Sequence, residues 1–251
     1  MTGTIALTSL AAKLPKPHPH GTDILHFSVR KTMENSGLLT NATGSVNARR
    51  NQQGHANNQR LDINASQLET NQSYYLFALL DQDTNFTYVT NLTSSTNGSL
   101  SLRYMQVGSS HGHGHGHGKL PLPAVLDPIS NIRELTLTDV NTQAVLTADL
   151  TLPDKLDYFI KRFLTQGNVT ASLRLHATTN VLQFKLITSG LAPAANYFLV
   201  LNDSIAAAVN SDTHGNLAFT NLPIAPINIL DLRTLAVWDN ASNSVISTHL
   251  P

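Results

Sequence analysis

Hydrophobic and polar positions alternate along much of the chain in short runs. Leu100 and Leu102, Leu135 and Leu137, Leu217 and Phe219, and Leu235 and Val237 each flank polar residues. This period of two is that of a half-buried strand. Turn material separates the runs. "TNG" ends at Gly98 and "THG" at Gly215, each offering a residue that tolerates positive φ, and "DVNTQ" (139–143) and "DNASN" (239–243) are rich in turn formers. The spacing predicts six or seven short strands in each half of the chain, at intervals of about 8–12 residues.

Two stretches follow a different period. Residues 153–167 place Leu156, Phe159, Ile160, Phe163 and Leu164 at i, i+3, i+4, i+7 and i+8, with Pro153 suited to a first turn and Gly167 to a stop. This predicts an amphipathic helix closing one end of a β domain. Residues 22–37 carry its equivalent 131 positions earlier, with Leu25 answering to Leu156 and Arg30 to Lys161. The N-terminal copy is the less apolar of the two.

These elements belong to an internal duplication. Arg133, Leu135, Asp139 and Val145 recur 100 positions later as Arg233, Leu235, Asp239 and Val245. Ser66, Leu68 and Tyr74 recur at an offset of 123 as Ser189, Leu191 and Tyr197, and Gly98 recurs at 117 as Gly215. The expected fold is mainly β: two tandem immunoglobulin-like β-sandwich domains, each preceded by a short amphipathic helix. The expected divisions are an N-terminal strand or arm over 1–21, a first domain over 22–150 and a second over 151–251. Residues 103–119 have no counterpart in the second half and read as an insertion.

Composition narrows the chemistry. Sixteen Lys and Arg balance sixteen Asp and Glu, charged residues are 13% of the chain, and cysteine is absent. The balance offers no electrostatic footprint for nucleic acid, and no apolar run is long enough for a membrane helix. The missing cysteines exclude disulfides, zinc thiolates and cysteine nucleophiles. No hydrolase elbow, zinc-protease, Walker or dinucleotide motif occurs, so the protein is expected not to be an enzyme. Residues 2–12 lack the basic start of an export leader. The Asn- and Thr-rich, cysteine-free composition nevertheless suits an extracellular or cell-surface protein.

Two features carry candidate function. His111, His113, His115 and His117 alternate with glycine inside the insertion, and in extended backbone such imidazoles point to one side, where Cu, Ni or Zn could be held. No cofactor is required by any other motif. The second feature is "TIALTSL" (4–10), whose Ile5 and Leu10 lie 140 positions before Val145 and Leu150; Leu7 continues its apolar pattern. It repeats a strand of which each half already has its own copy. This surplus strand either pairs within the first domain or adds to a sheet edge of a neighbouring molecule. The leading expectation is self-assembly through it into a fibre or surface layer, making the protein a homo-oligomer or homopolymer. The alternative is a monomeric secreted metal-binding module built on the Gly-His tract. The repeated Asp139 and Asp239 are expected to satisfy turn amides, and Arg133 and Arg233 to form an ion pair within each domain.

Overall fold

The computed structural model of the protein describes residues 23–81, 83–106, 120–220 and 228–250. Among these residues the molecule is mainly β, with three single-turn 3-10 segments. The first half contributes β1 (Ile24–Asn35), β2 (Thr43–Gln53), β3 (Ala56–Ser66), β4 (Ser73–Leu80), β5 (Thr87–Thr93), β6 (Leu100–Gln106), β7 (Leu120–Pro121), β8 (Ile132–Thr138) and β9 (Ala144–Asp149). The second contributes β10 (Lys155–Gln166), β11 (Val169–Thr178), β12 (Leu182–Ser189), β13 (Asn196–Leu201), β14 (Ser204–Asn210), β15 (Leu217–Phe219), β16 (Thr234–Trp238) and β17 (Ser244–His249).

Both expected helices are strands: they are β1 and β10. In β1, Leu25, Phe27 and Val29 are buried while His26, Ser28 and Arg30 point outward; in β10, Tyr158 and Ile160 are buried between more exposed neighbours. The helical spacing in β10 arose because its outward face also carries aromatics, Phe159 and Phe163, which placed apolar residues on both parities. β-Branched and aromatic side chains suit a strand, and sheet partners on both sides override a coincidental 3.6 period. Gly167 is no helix stop. It sits at φ +59° in the two-residue loop that joins β10 to β11, where Gln166 faces Val169, as a tight hairpin turn requires.

β1 and β10 also pair with each other, antiparallel, and so fuse the two halves. Phe27 lies opposite Tyr158, its own equivalent at the offset of 131, so a local two-fold axis runs between them. Their rings meet edge to face with centroids 6.3 Å apart. The resulting sheet runs β15-β12-β11-β10-β1-β2-β3-β6-β7, while β9 joins the end of β1 and brings in β8, β4 and β5. A separate four-stranded sheet runs β14-β13-β16-β17. The expectation of two tandem immunoglobulin-like sandwiches, each preceded by a helix, is corrected accordingly: the leading segments are strands, and they join the two halves in one continuous sheet.

The duplication holds at the level of atoms. β4 pairs with β5 and β8 as β13 pairs with β14 and β16, and the β-bulges fall at equivalent places, after Leu76 and Leu199 and after Leu137 and Val237. The Tyr74 hydroxyl accepts from the Glu69 amide at 3.0 Å, and the Tyr197 hydroxyl accepts from the Ala192 amide at 3.0 Å. Ser94 and Ser211 each use their hydroxyl to tie the same loop. Gly98 and Gly215 have φ of +71° and +74°, and a Cβ on either would collide with the carbonyl oxygen of Leu68 or Leu191. Only glycine fits there, which explains its repetition. Inward side chains from both halves, among them Val29, Leu61, Leu137, Leu173, Leu186 and Val237, join one buried apolar cluster.

Candidate assembly edges

The four tract histidines, His111, His113, His115 and His117, lie outside the described residues, as do Ile5, Leu7 and Leu10. What the structure describes is the surroundings of the tract. β6 continues to Gln106, pairing with β3 through residues first read as insertion, and after the tract β7 runs parallel to β6 with Leu120 opposite Tyr104. The strand is thus about four residues longer than its counterpart β15, and the unmatched segment shrinks to the part beyond Gln106. Of the scattered histidines, His55 and His214 are exposed in turns and His249 is exposed on β17. His176 faces Asp157 at 3.4 Å, and His26, which drew no attention in the sequence, faces the same carboxylate at 3.3 Å. Among the described residues no group of three or more His, Cys, Asp or Glu is placed to hold a metal ion.

Strand edges are where a donated strand would bind, and the edges in this fold differ sharply. β15 and β7 are three and two residues long. β17 is longer, but Arg162 donates to Thr248 and to the carbonyl of His249, and Gln166 reaches the carbonyl of Ser244. Short length and covering side chains are the usual ways of blunting an edge. β5 and β14 have neither protection. Each is seven residues long, pairs on one side only among the described residues, and contains no charged residue and no proline. Their sequences are TYVTNLT and SIAAAVN. Phe86, Tyr88 and Ile205 stand exposed at these edges, Ile205 to 61%. Tyr88 also meets Tyr75 and Phe77 on the outer face of the same sheet, at centroid distances of 6.3 and 5.8 Å. No spacing rule marks these edges in the sequence. What could have marked them is the want of Lys, Glu and Pro in two strand-like runs related by the duplication.

Arg133 and Arg233 were expected to pair within each domain. They converge instead on one carboxylate, Asp81, with Nε distances of 2.7 and 2.5 Å, and Arg133 also reaches Asp231 at 2.9 Å. The network therefore ties one half to the other. Burial alone would raise the Asp81 carboxyl, but the hydrogen bonds from Arg233 and Arg133 outweigh it and hold the group below the ordinary carboxylate value. A cleft beside it is lined by Leu79, Asp81, Asp83, Arg133 and Arg233. With both guanidinium groups already matched to carboxylates, this is a joint rather than an anion receptor. Asp139 and Asp239 do satisfy turn amides: each accepts from two backbone N–H groups at 2.8–2.9 Å. In Asp239 the Asn243 amide is the main cause of a carboxyl pKa lowered from its usual value.

No protein-family model matches the chain, and no curated protein matches it. Among the described residues no helix is long and apolar enough to cross a membrane.

Proposed function

We propose that the protein is a non-catalytic extracellular structural protein that self-assembles by strand addition. Its N-terminal strand, through Ile5, Leu7 and Leu10, joins an open sheet edge of a neighbouring copy. Each half acts as a sandwich-like unit, and the two units are joined through β1 and β10. The observation that carries this reading is the pair of unprotected edges, β5 and β14, against the blunted edges elsewhere. Main-chain hydrogen bonds along such an edge supply affinity, and alternate side chains supply register. A donor strand and an acceptor edge at different places on one chain make a heterologous contact, which propagates into a filament unless it closes. The Gly-His tract is a metal-dependent accessory in this reading. The alternative, a metal-binding module working as a monomer, rests on the alternation of His111, His113, His115 and His117 in the sequence.

The test is negative-stain electron microscopy of the intact protein and of a variant lacking residues 2–12, each with and without a chelator. Filaments that persist in chelator and vanish with the deletion are expected. Filaments that survive the deletion overturn strand donation, and filaments that dissolve in chelator transfer the contact to the histidines. Small monomeric particles throughout leave the metal-binding module.

A further inference from the structure

The chain's formal neutrality hides a separation of charge over the shared sheet. In an antiparallel ladder, directly opposed residues lie on the same face, with Cβ atoms about 4.5–5.5 Å apart. On the solvent face one row crosses four strands as Ile24, Lys161, Arg174 and Lys185. A second row sets Arg30 against Lys155, and a third sets Arg49 against Arg60. With Arg103, eight of the chain's 16 Lys and Arg stand on this face. Of its 16 acidic residues, Asp62 and Asp157 stand within these rows, and Glu34 and Asp154 border them beside Arg30 and Lys31. The overall balance of charge therefore conceals a face on which cations outnumber carboxylates.

The two carboxylates within the rows have their own partners. Asp62 holds Arg60 and Arg103, both at 2.6 Å, and Asp157 lies between His26 and His176. Among the described residues, Arg30, Arg49, Lys155, Lys161, Arg174 and Lys185 form no salt bridge. Four cross-strand pairs therefore juxtapose like charges, an arrangement that weakens a sheet unless something anionic covers it.

We infer that this face binds an anionic polysaccharide, its sulfate or carboxylate groups lying along the cationic rows. One general property of sheets and two observations select this occupant. Adjacent strands turn by about 20–25°, so a nine-strand path presents a twisted face that a flexible chain can follow and a flat bilayer cannot. The aromatic rings on the face are already covered, Phe163 by Lys161 at 5.0 Å and Phe159 by Arg174 at 5.6 Å. Nucleobases would find no free ring on which to stack. Between the cations stand neutral amides and hydroxyls, Asn47, Asn64, Ser101 and Ser172, which match sugar hydroxyls.

Heparin is the probe, with the intact protein and a K161S/R174S/K185S variant, by affinity chromatography and by calorimetry over a salt series. Binding that weakens steadily with salt is expected, together with roughly a tenfold or greater loss in the variant. The variant should melt close to the parent, because relief of repulsion offsets the loss of the two cation–ring contacts. If it fails to fold, the single changes Arg174→Ser and Lys185→Ser carry the test with smaller losses. Affinity for heparin that is absent at low salt, or indifferent to these changes, overturns the proposal. Tighter binding to a single-stranded oligonucleotide of matched charge, or to phosphatidylserine vesicles, overturns it in favour of that partner.

Discussion

The first and second halves of this protein repeat one another where backbone is being fixed and diverge where solvent is met. Registers, bulges, the Tyr74/Tyr197 and Ser94/Ser211 ties and the Gly98/Gly215 turns coincide. The outward positions of the shared sheet do not. In the first half Asp62 neutralises Arg60 and Arg103 across β3 and β6, whereas the equivalent of Asp62 in the second half is Lys185, opposite Arg174. Asp81 has no acidic equivalent in the second half either; Ser204 occupies the matching place. Duplication supplied two scaffolds, and the differences made them a pair: one half provides the carboxylate that the arginines of both halves share.

That contrast can be broken most severely at Asp81, whose side chain is 10% exposed. Asp81→Ala leaves Arg133 with Asp231 and removes the buried carboxylate beside Arg233, and it should cost roughly 3 kcal/mol, read by urea denaturation. Because the folded carboxyl lies below its unfolded value, its contribution is complete above the ordinary carboxylate range, near pH 4, and is lost as pH falls through the depressed folded value. Denaturation across that acid range should therefore show a steeper loss in the parent than in Asp81→Asn. A parallel loss in both proteins would assign the acid sensitivity to other groups.

The repeated features test whether the halves are energetically as well as geometrically equivalent. Gly98→Ala and Gly215→Ala should each destabilise by roughly 2–3 kcal/mol, since a Cβ meets a carbonyl oxygen at a positive φ in both. Unequal losses, measured by thermal unfolding, would show that one half relaxes more readily. Tyr74→Phe and Tyr197→Phe should cost less, about 1 kcal/mol each, by leaving the amides of Glu69 and Ala192 without their acceptor. A double variant whose cost departs from the sum would reveal coupling between the halves through the common core.

Much of this architecture is legible in the sequence because duplication makes the chain its own control. Recurrence of Arg133, Leu135 and Asp139 as Arg233, Leu235 and Asp239 located β8 and β16 and their turns, and the glycine of "TNG" and "THG" anticipated the positive φ. The failure at β1 and β10 has a physical cause. Both faces of β10 carry large apolar side chains, one packed on the core and the other under the ammonium of Lys161 and the guanidinium of Arg174, and periodicity cannot separate such a strand from a helix. The convergence of Arg133 and Arg233 on Asp81 was equally out of reach, because it joins residues from both halves that no local pattern brings together. Charge sorting onto one face was hidden by the same error: taken as a helix, β10 gives Lys155 and Lys161 no common side with Arg30, Arg174 and Lys185.

The central claim is that unprotected edges make this molecule a building block. Adding a charge to each edge, Asn91→Lys on β5 and Ile205→Lys on β14, leaves the core untouched and blunts both edges in the way other sheets do. Electron microscopy of this double variant beside the parent, at equal concentration, is the most direct measurement. Filaments from the parent and dispersed monomers from the variant are the expected result. Filaments of equal length from both, or none from the parent, would contradict the account.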